Sequence, residues 1–316
     1  MANGDEWLVA SHTIPYSLLP IRYSLFLREP MPRIAYVNGR YVRHADACVH
    51  IEDLGYQFAD GVYEVCEVAR GYIVDMTGHL DRLGRSLSEL QIAWPMSRST
   101  LEIVVGEVVR RNRVKNGLIY LQVTRGVAGR DFLFPANTKP TLVVTAKKVD
   151  PAVAAKRAEN GIKVITVPEN RWDRVDIKTV GLLPNVLAKE KAKAAGAQEA
   201  WFVDADGNVK EGGSSNAWIV TKDGVLVTRP ADHGILRGIT RTTLFDVAEK
   251  LGLKIEERCF SIAEAKAARE AFISSATTIA MPVVAIDGAP VANGHPGSVV
   301  LSLRGAFFDV AEKRLA

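Results

Sequence analysis

The chain has 316 residues, enough for two hydrophobic cores of ordinary size. Hydrophobic residues make up 47% and charged residues 24% of the sequence, a composition typical of soluble globular proteins. The formal net charge of +4 is small for this length, and no basic block with interleaved aromatic residues occurs, so a nucleic-acid partner is not expected. No apolar run approaches the length of a membrane span, so a membrane is not expected as a partner either.

The cysteines and the N-terminus bear on where the protein works. The three cysteines are odd in number and lack metal-type spacing, which favours reduced thiols in a cytoplasmic protein and no metal site. Residues 16–27 are the nearest candidate for a targeting segment, but acidic residues precede them and a proline and an arginine interrupt them. We therefore predict that residues 1–30 are an N-terminal extension outside the folded core.

A hairpin at residues 31–42, with Asn38-Gly39 at its turn, is the first predicted element. Leucines at helical spacing predict a helix that follows it, and Ser99 with Glu102 resembles the capping box of a second helix. The predicted strands of this half lie at residues 48–51, 63–68, 72–75, 118–124 and 141–145, and the helices at 79–90 and from Ser99 onward. This order indicates a mixed α/β (α+β) domain over residues 31–150.

A polar stretch that contains a proline, at residues 147–153, marks the predicted boundary with a larger second domain, residues 151–316. Asp206-Gly207 and Asp223-Gly224 are the turns of two predicted hairpins. Gly196 stands where a helix C-terminus favours glycine. The other predicted elements of this half are strands at residues 162–167 and 271–278 and helices at 186–195, 241–251 and 299–314.

Lys178 is the first candidate for chemistry. A lysine becomes a nucleophile toward carbonyl groups when burial or nearby cations disfavour its charged form. Apolar Ile177, Val180, Leu182 and Leu183 surround this lysine in the sequence. Taken alone, the pattern is more often that of a lysine at the edge of a strand, with only its stem covered.

Other stretches carry groups that suit a charged heteroaromatic ligand. Ile239 and Thr240 stand at the start of a predicted helix, so their backbone amides and the positive helix end form an anion site. The hydroxyl-rich run at residues 274–278 and the guanidinium of Arg82 add donors for the same anion. Glu211 can pair with a ring nitrogen, keep it protonated and so make the ring an electron sink. Alone, each feature is equally typical of an ordinary helix start, a solvated arginine or a loop glutamate.

Six stretches in order resemble the class IV, or fold-type IV, pyridoxal-phosphate aminotransferases, over roughly residues 34–290. They are Gly55-Tyr-Gln-Phe-Ala-Asp-Gly-Val-Tyr-Glu64, His79-Leu-Asp-Arg-Leu83, Asp176-Ile-Lys178, Glu211-Gly-Gly-Ser-Ser-Asn216, Gly238-Ile-Thr-Arg241 and Met281-Pro-Val283. The first stretch is most similar to the D-amino-acid aminotransferases of this family. The resemblance implies a two-domain α/β fold and pyridoxal 5′-phosphate as the cofactor.

The resemblance also implies roles for single residues. Lys178 would form a Schiff base with the cofactor and then move a proton, and Glu211 would pair with the pyridine nitrogen. Leu236 would lie against one face of the ring, and Tyr63 would face the substrate. The residues implied to hold the phosphate are Arg82, Ile239, Thr240, Ser275, Ala276 and Thr277.

Two positions depart from the family pattern. Ala276 stands where a threonine is usual, so its amide and a hydroxyl of Ser275 or Thr277 would serve instead. In one loop typical D-amino-acid aminotransferases carry Arg-x-His, contributed across a dimer interface to bind the substrate carboxylate. This sequence has Arg130-Asp131-Phe132 there, which keeps the arginine for a bidentate contact but replaces the histidine with an apolar ring.

The expected function is that of a cytoplasmic, homodimeric transaminase with active sites at the subunit interface. It would move the amino group of a D-amino acid of the D-alanine type to a 2-oxo acid such as 2-oxoglutarate. Phe132 leaves an (R)-selective amine transaminase as the alternative, because an apolar ring suits a substituent without a carboxylate. A branched-chain aminotransferase and an aminodeoxychorismate lyase rank lower. A cofactor-binding module without turnover ranks last, because Lys178 and Glu211 are both present.

Overall fold

Two β-sheets organise residues 33–316, the part of the chain that the computed structural model describes. The predicted extension at residues 1–30 lies outside the described residues. The strands, numbered β1–β16 in chain order, are Ile34–Val37, Arg40–Arg43, Gly61–Ala69, Tyr72–Val74, Gly117–Thr124, Thr141–Lys148, Ile162–Pro168, Glu199–Val203, Val209–Gly212, Asn216–Val220, Leu226–Thr228, Ile255–Glu257, Glu270–Ser275, Ile279–Ile286, Ala289–Pro290 and Lys313–Leu315. The helices, α1–α8, are Leu54–Phe58, Met76–Glu89, Arg98–Arg111, Pro151–Asn160, Leu183–Ala194, Ile239–Lys250, Ile262–Ala267 and Ser298–Val310.

The first sheet has seven strands in the order β16-β4-β3-β5-β6-β1-β2, and all its neighbours are antiparallel. The second has nine strands, in the order β12-β11-β10-β13-β14-β7-β8-β9 with β15 paired to β14. In chain order the change from the first sheet to the second falls between β6 and β7, and β16 returns to the first sheet. The division into domains at residue 150 stays a prediction.

The first sheet buries one face against α2 and α3. Leu80, Leu83 and Leu87 of α2 are buried in the same core as Val62 and Cys66 of β3. Burial of each such leucine contributes about 1.5–3 kcal/mol relative to an exposed one. The leucine spacing therefore predicted both the helix and its buried face correctly.

The second sheet buries both faces. On one face Trp218 of β10 and Phe272 of β13 stack with 5.3 Å between ring centroids and pack against α6 and α8. Ile219 and Ile273, the next residues along these strands, join a separate core with Phe260. Because side chains alternate across a strand, consecutive residues of β10 and β13 serve two different cores.

The predicted turns are confirmed. Asn38-Gly39 joins β1 to β2, and both residues have the positive φ that this two-residue turn requires. Asp206-Gly207 lies between β8 and β9, and Asp223-Gly224 between β10 and β11. Gly196 follows α5 with a φ of 72°, as expected for a glycine just beyond a helix end.

Three local predictions were wrong. Residues 48–51 form no strand: Ile51 is 76% exposed, and no described strand pairs with the segment. The cap of α3 is Ser97 rather than Ser99, since its hydroxyl accepts from the backbone N–H of Thr100 at 3.2 Å. The last helix ends at Val310, and residues 313–315 instead pair with β4, a partner distant in sequence that helical spacing cannot reveal.

We predict that Glu270→Ala lowers the free energy of unfolding by about 1–2 kcal/mol. The buried Glu270 carboxylate accepts from the backbone N–H groups of Val299 and Val300, at 3.1 and 2.9 Å, and so caps the N-terminus of α8. Urea unfolding of the variant measures the loss. The control is Glu249→Ala, an exposed position of α6, which should change stability by less than about 0.5 kcal/mol. Equal losses in both variants would contradict the capping role.

Candidate active site

Lys178 lies on an extended segment that pairs with the start of β3. The backbone N–H of Tyr63 donates to the carbonyl of Lys178, and that of Val180 donates to the carbonyl of Gly61, both at 3.0 Å. The backbone N–H of Lys178 also lies 3.3 Å from the hydroxyl of Ser86 on α2. These bonds fix the lysine backbone to the first sheet, although β7, which precedes it, belongs to the second.

The side chain of Lys178 runs along an aromatic pair. Its Nζ lies 4.2 Å from the centroid of the Tyr63 ring, a cation–π distance. The Tyr63 ring in turn stacks on Tyr120, with 5.7 Å between centroids. Tyr120 is mostly buried, and this burial raises the pKa of its hydroxyl to about 12. Tyr120 is therefore a neutral support for the Tyr63 ring at neutral pH.

Asp176, two residues before the lysine, ties this segment to its surroundings. Its carboxylate accepts from Arg85 of α2 and from Arg174, and it lies 3.2 Å from Nδ1 of His233. Partial burial works against its charge, but the hydrogen bonds from Arg174 and Arg85 prevail and hold the pKa of Asp176 well below its usual range. The lysine segment is thus held by an ionised side chain as well as by backbone bonds.

Glu211 is a buried carboxylate at the end of β9. Oε1 accepts from Nη1 of Arg171 at 2.7 Å, and Oε2 accepts from Nδ2 of Asn216 and the backbone N–H of Leu236, at 3.1 and 3.2 Å. A carboxylate offers about four acceptor positions, so these three donors leave room for one more. Burial raises the pKa of Glu211, and the charge and hydrogen bond of Arg171 oppose this effect.

Donors for an anion come from the start of α6 and from the turn between β13 and β14. Gly238 precedes α6, and no side chain caps the helix, so the first amides are available to a ligand. Ser275 ends β13, and Ala276 and Thr277 begin the turn; the hydroxyls of Ser275 and Thr277 lie 3.1 Å apart. The indole N–H of Trp218 donates to the hydroxyl of the preceding Ser274 at 2.9 Å and so anchors the turn.

Arg82 is held by a second buried carboxylate, Glu64 of β3. Nε and Nη2 of Arg82 both donate to Glu64 at 2.7 Å, and Nδ1 of His79 lies 2.7 Å from the same carboxylate. Burial alone would raise the pKa of Glu64, but the adjacent Arg82 and His79 lower it to about 2. Each terminal nitrogen of Arg82 carries a second N–H, and Nη1 donates to the carbonyl of Arg237 at 3.0 Å, next to α6. The guanidinium is therefore fixed in charge and orientation.

Lys178, Glu211 and Arg82 line one cavity of about 600 Å³, a size typical of cofactor sites, together with the start of α6 and the turn between β13 and β14. The predicted residues on its wall are Tyr63, Arg82, Lys178, Glu211, Leu236, Ile239, Thr240, Ser275, Ala276 and Thr277. The wall thus offers an amine for a carbonyl, a carboxylate for a ring nitrogen and a set of donors for a phosphate. This donor set fits pyridoxal phosphate. Among residues 33–316, no cluster of His, Cys, Asp or Glu side chains suits a metal ion.

Arg130 and Phe132 do not join the cavity wall within one chain. Both are exposed, and Phe132 is 87% accessible. They contact Phe58, which does line the cavity: the guanidinium carbon of Arg130 lies 4.4 Å from its ring centroid, and the two phenylalanine centroids lie 5.4 Å apart. The loop therefore stands beside the cavity rather than in it.

Sequence reasoning missed four functional side chains. Glu64, His79 and Asn216 stood within recognised motifs, but only their contacts with Arg82 and Glu211 indicate what they do. Arg171 had no sequence signal at all, because an arginine seven residues before a lysine is unremarkable in spacing. Its contact with Glu211 depends on how β9 packs.

Comparison with known proteins was made on sequence and on fold. Residues 61–286 match the family described as amino-transferase class IV. The chain is 39% identical over 274 residues to D-alanine aminotransferase from Listeria innocua, covering 86% of this chain and 94% of the relative. Two branched-chain amino acid aminotransferase structures resemble the fold at 26% identity: one from Escherichia coli (TM-score 0.82, 88% of this chain, 94% of that chain) and one from T.th. with pyridoxamine 5′-phosphate (0.81, 89% and 94%).

The chain therefore belongs to the class IV aminotransferases. This confirms the predicted family, the mixed α/β fold of type IV and the enzyme class. Pyridoxal phosphate is the cofactor of the class, so the predicted cofactor is confirmed as well. Among residues 33–316, no helix is both long and apolar enough to cross a bilayer.

We predict that Glu64→Gln destabilises the protein at neutral pH by about 3–5 kcal/mol, because it leaves the buried Arg82 without a counter-charge. The pKa of Glu64 is about 2 in the folded protein against an ordinary 4.5, so its contribution is present above pH 4.5 and is lost as the pH falls toward 2. Urea unfolding from pH 7 to pH 3 should therefore show the difference between the two proteins shrinking.

Glu107→Gln is the matched control, since the Glu107 carboxylate also binds two basic side chains, here Arg110 and Arg111, but on the surface of α3. Its effect should be much smaller. If the loss of unfolding free energy in Glu64→Gln stayed constant down to pH 3, it would contradict an ionised Glu64 with a lowered pKa.

Proposed function

We propose that this chain is a D-amino-acid transaminase, which moves the amino group of a D-amino acid of the D-alanine type to a 2-oxo acid such as 2-oxoglutarate. The observation that carries the proposal is that Lys178, Glu211 and the donors at the start of α6 line the same cavity. Pyridoxal phosphate, when bound, supplies a carbonyl that accepts the amino group and a ring that takes up electrons from the breaking Cα–H bond.

The chain's own residues would hold and move the proton. Nζ of Lys178 would hold the cofactor through its carbonyl carbon, with loss of water, and as a free amine would take the proton from the substrate Cα. The ring of Tyr63, 4.2 Å from this nitrogen, limits where the amine can swing. The carboxylate of Glu211 would accept a hydrogen bond from the pyridine nitrogen, for which its fourth acceptor position is suited.

Phosphate binding would rest on fixed donors. Arg82 is oriented by Glu64, and the amides of Ile239 and Thr240 add the positive end of α6. The turn residues Ser275, Ala276 and Thr277 supply hydroxyls and a further amide. Leu236, whose backbone N–H already binds Glu211, would cover one face of the ring.

The substrate class follows from the relatives. The D-alanine aminotransferase from L. innocua is 39% identical to this chain, whereas the branched-chain aminotransferases that share the fold are 26% identical. The higher identity over a similar span supports a D-amino acid, rather than a branched-chain L-amino acid, as the substrate. The three cysteines are free thiols, which is typical of a reducing compartment, and we keep a cytoplasmic location as part of the proposal.

We further propose that the enzyme is a homodimer whose active sites lie at the subunit interface. Phe132, Leu133 and Phe134 are consecutive exposed apolar residues, and Phe132 contacts the cavity-lining Phe58; a second copy would cover them. In that arrangement Arg130 of one subunit would bind the substrate carboxylate in the cavity of its partner. The predicted roles of Arg130 and Phe132 both depend on this contact.

An (R)-selective amine transaminase is the second candidate. Phe132 replaces the usual histidine, and part of the cavity wall is apolar, formed by Phe58, Leu90, Trp172, Val175 and Leu182. Such a wall suits an aryl or alkyl substituent that carries no carboxylate.

Absorbance spectroscopy of cofactor-saturated protein tests the proposal. D-alanine should convert the bound cofactor to its pyridoxamine form within one turnover, and L-alanine should not. Subsequent 2-oxoglutarate should restore the starting spectrum. Conversion by (R)-1-phenylethylamine faster than by any D-amino acid would favour the second candidate, and conversion by L-leucine alone would contradict the first.

Arg130→Ala separates the two candidates at the level of one side chain. We expect it to lower kcat/KM for D-alanine by about 10–100-fold, because a bidentate charged contact is lost. The kcat/KM for (R)-1-phenylethylamine should stay nearly unchanged. Arg157→Ala, an exposed arginine of α4, is the control and should affect neither. Equal losses for both substrates would contradict a carboxylate-binding role.

A further inference from the structure

Arg171 is the buried group that the roles above leave unused. Its side chain is 7% exposed, and it lines the cavity. Nη1 donates to Glu211 at 2.7 Å, while Nε and Nη2 donate to Glu169 at 2.9 and 2.7 Å. The guanidinium carbon lies 4.2 Å above the ring centroid of the fully buried Phe202. The guanidinium is therefore held on three sides and cannot turn away from Glu211.

The charges around Arg171 alternate. Nζ of Lys210 lies 3.1 Å from Glu169, which binds Arg171, which binds Glu211. This row holds two cations and two carboxylates, and its last member, Glu211, faces the cavity. Because the row ends in the negative charge of Glu211, a ligand group that continues the alternation in the cavity would be a cation. A protonated pyridine nitrogen supplies one, whereas an unprotonated nitrogen does not.

The position of Arg171 decides where a shared proton lies. A buried carboxylate without a cation tends to take up a proton, and a neutral Glu211 would then donate to an unprotonated ring. The nearby groups that oppose this are Arg171, the amide donors of Asn216 and Leu236, and the more distant charge of Lys178. Among residues 33–316, only Arg171 places a full charge within hydrogen-bond distance of Glu211.

We propose that Arg171 is a positioning residue that keeps Glu211 ionised and oriented, and thereby keeps the ring nitrogen of the bound cofactor protonated. The inference rests on the proposed function for Glu211. Arg171 acts through Glu211 and need not touch the substrate. Its positive charge would stabilise the carboxylate more than it disfavours the pyridinium, because it contacts the carboxylate directly and would meet the ring nitrogen only through it.

Two substitutions separate charge from hydrogen bonding. Arg171→Gln keeps donors for Glu211 but removes the charge, and Arg171→Lys keeps the charge but not the fork that binds both carboxylates. The readout is the ¹⁵N chemical shift of ring-labelled pyridoxal phosphate in the loaded protein, which reports protonation independently of turnover. We expect the signal of Arg171→Lys to stay near the wild-type, protonated value and that of Arg171→Gln to move toward the unprotonated value.

Kinetics should follow the same order. Arg171→Gln should lower kcat for D-alanine by about 10–100-fold, the range seen when partners that orient a functional ligand are removed, with a smaller change in KM. Arg229→Gln is the matched control: Arg229 forms a part-buried ion pair with Asp204 at 2.8 Å and does not line the cavity. Its ring-nitrogen signal should match the wild type.

The outcomes are distinct. A wild-type signal in both Arg171 variants, or equal shifts in both, would overturn the role of the charge. Infrared spectra of the apoprotein give an independent check. Arg171→Gln should show a protonated-carboxyl band that is absent from the wild type and from the Arg171→Gln/Glu211→Gln double variant. An Arg171→Gln spectrum without this band would also overturn the role of the charge. If the wild-type protein binds no cofactor through Lys178, the proposed function fails. This outcome differs from failure of the Arg171 proposal, in which the wild type binds the cofactor but the Arg171 variants do not behave as predicted.

Discussion

The pairing of the Lys178 segment with the start of β3 is the constraint on which the site depends. The backbone N–H of Tyr63 donates to the carbonyl of Lys178, and that of Val180 donates to the carbonyl of Gly61. These two bonds attach the Lys178 segment to the first sheet, although the strand before it, β7, belongs to the second sheet. The first sheet and its helix contribute Tyr63 and Arg82, and the second contributes Glu211. The cavity exists where these contributions meet, so the crossing segment places the amine between the two sets of side chains.

Buried charges then determine how rigid the site is. Glu64 and Glu211 are both nearly inaccessible carboxylates, and each has an arginine within 2.7 Å. Burying a lone charge is costly, so each carboxylate fixes its arginine and each arginine fixes its carboxylate. The two pairs differ in what faces the cavity: at Glu64 it is the cation, Arg82, and at Glu211 it is the carboxylate itself. One cavity can therefore bind a molecule that carries opposite charges at separate positions.

Local chemistry predicted much of the fold. The turn at Asn38-Gly39 follows from the positive φ that glycine tolerates, and the buried face of α2 from the spacing of its leucines. Interactions between distant residues could not be read this way. β16 forms because β4 offers an edge, and residues 48–51 remain exposed because no described strand pairs with them, despite a strand-like composition.

The same distinction holds in the site. Lys178, Glu211 and the residues predicted to bind phosphate were singled out because their motifs appear together and in order, and they line one cavity. Arg171 was not, because its contact with Glu211 arises from the packing of β9 against the segment before the lysine. The role proposed for Arg130 requires a second subunit, because within one chain its loop lies beside the cavity.

Borohydride reduction of cofactor-saturated protein, followed by peptide mapping, tests the central claim most directly. The account predicts that the cofactor becomes fixed to Lys178 alone and that Lys178→Ala protein carries no label. A label on any other lysine of the wild type, or none at all, would contradict it.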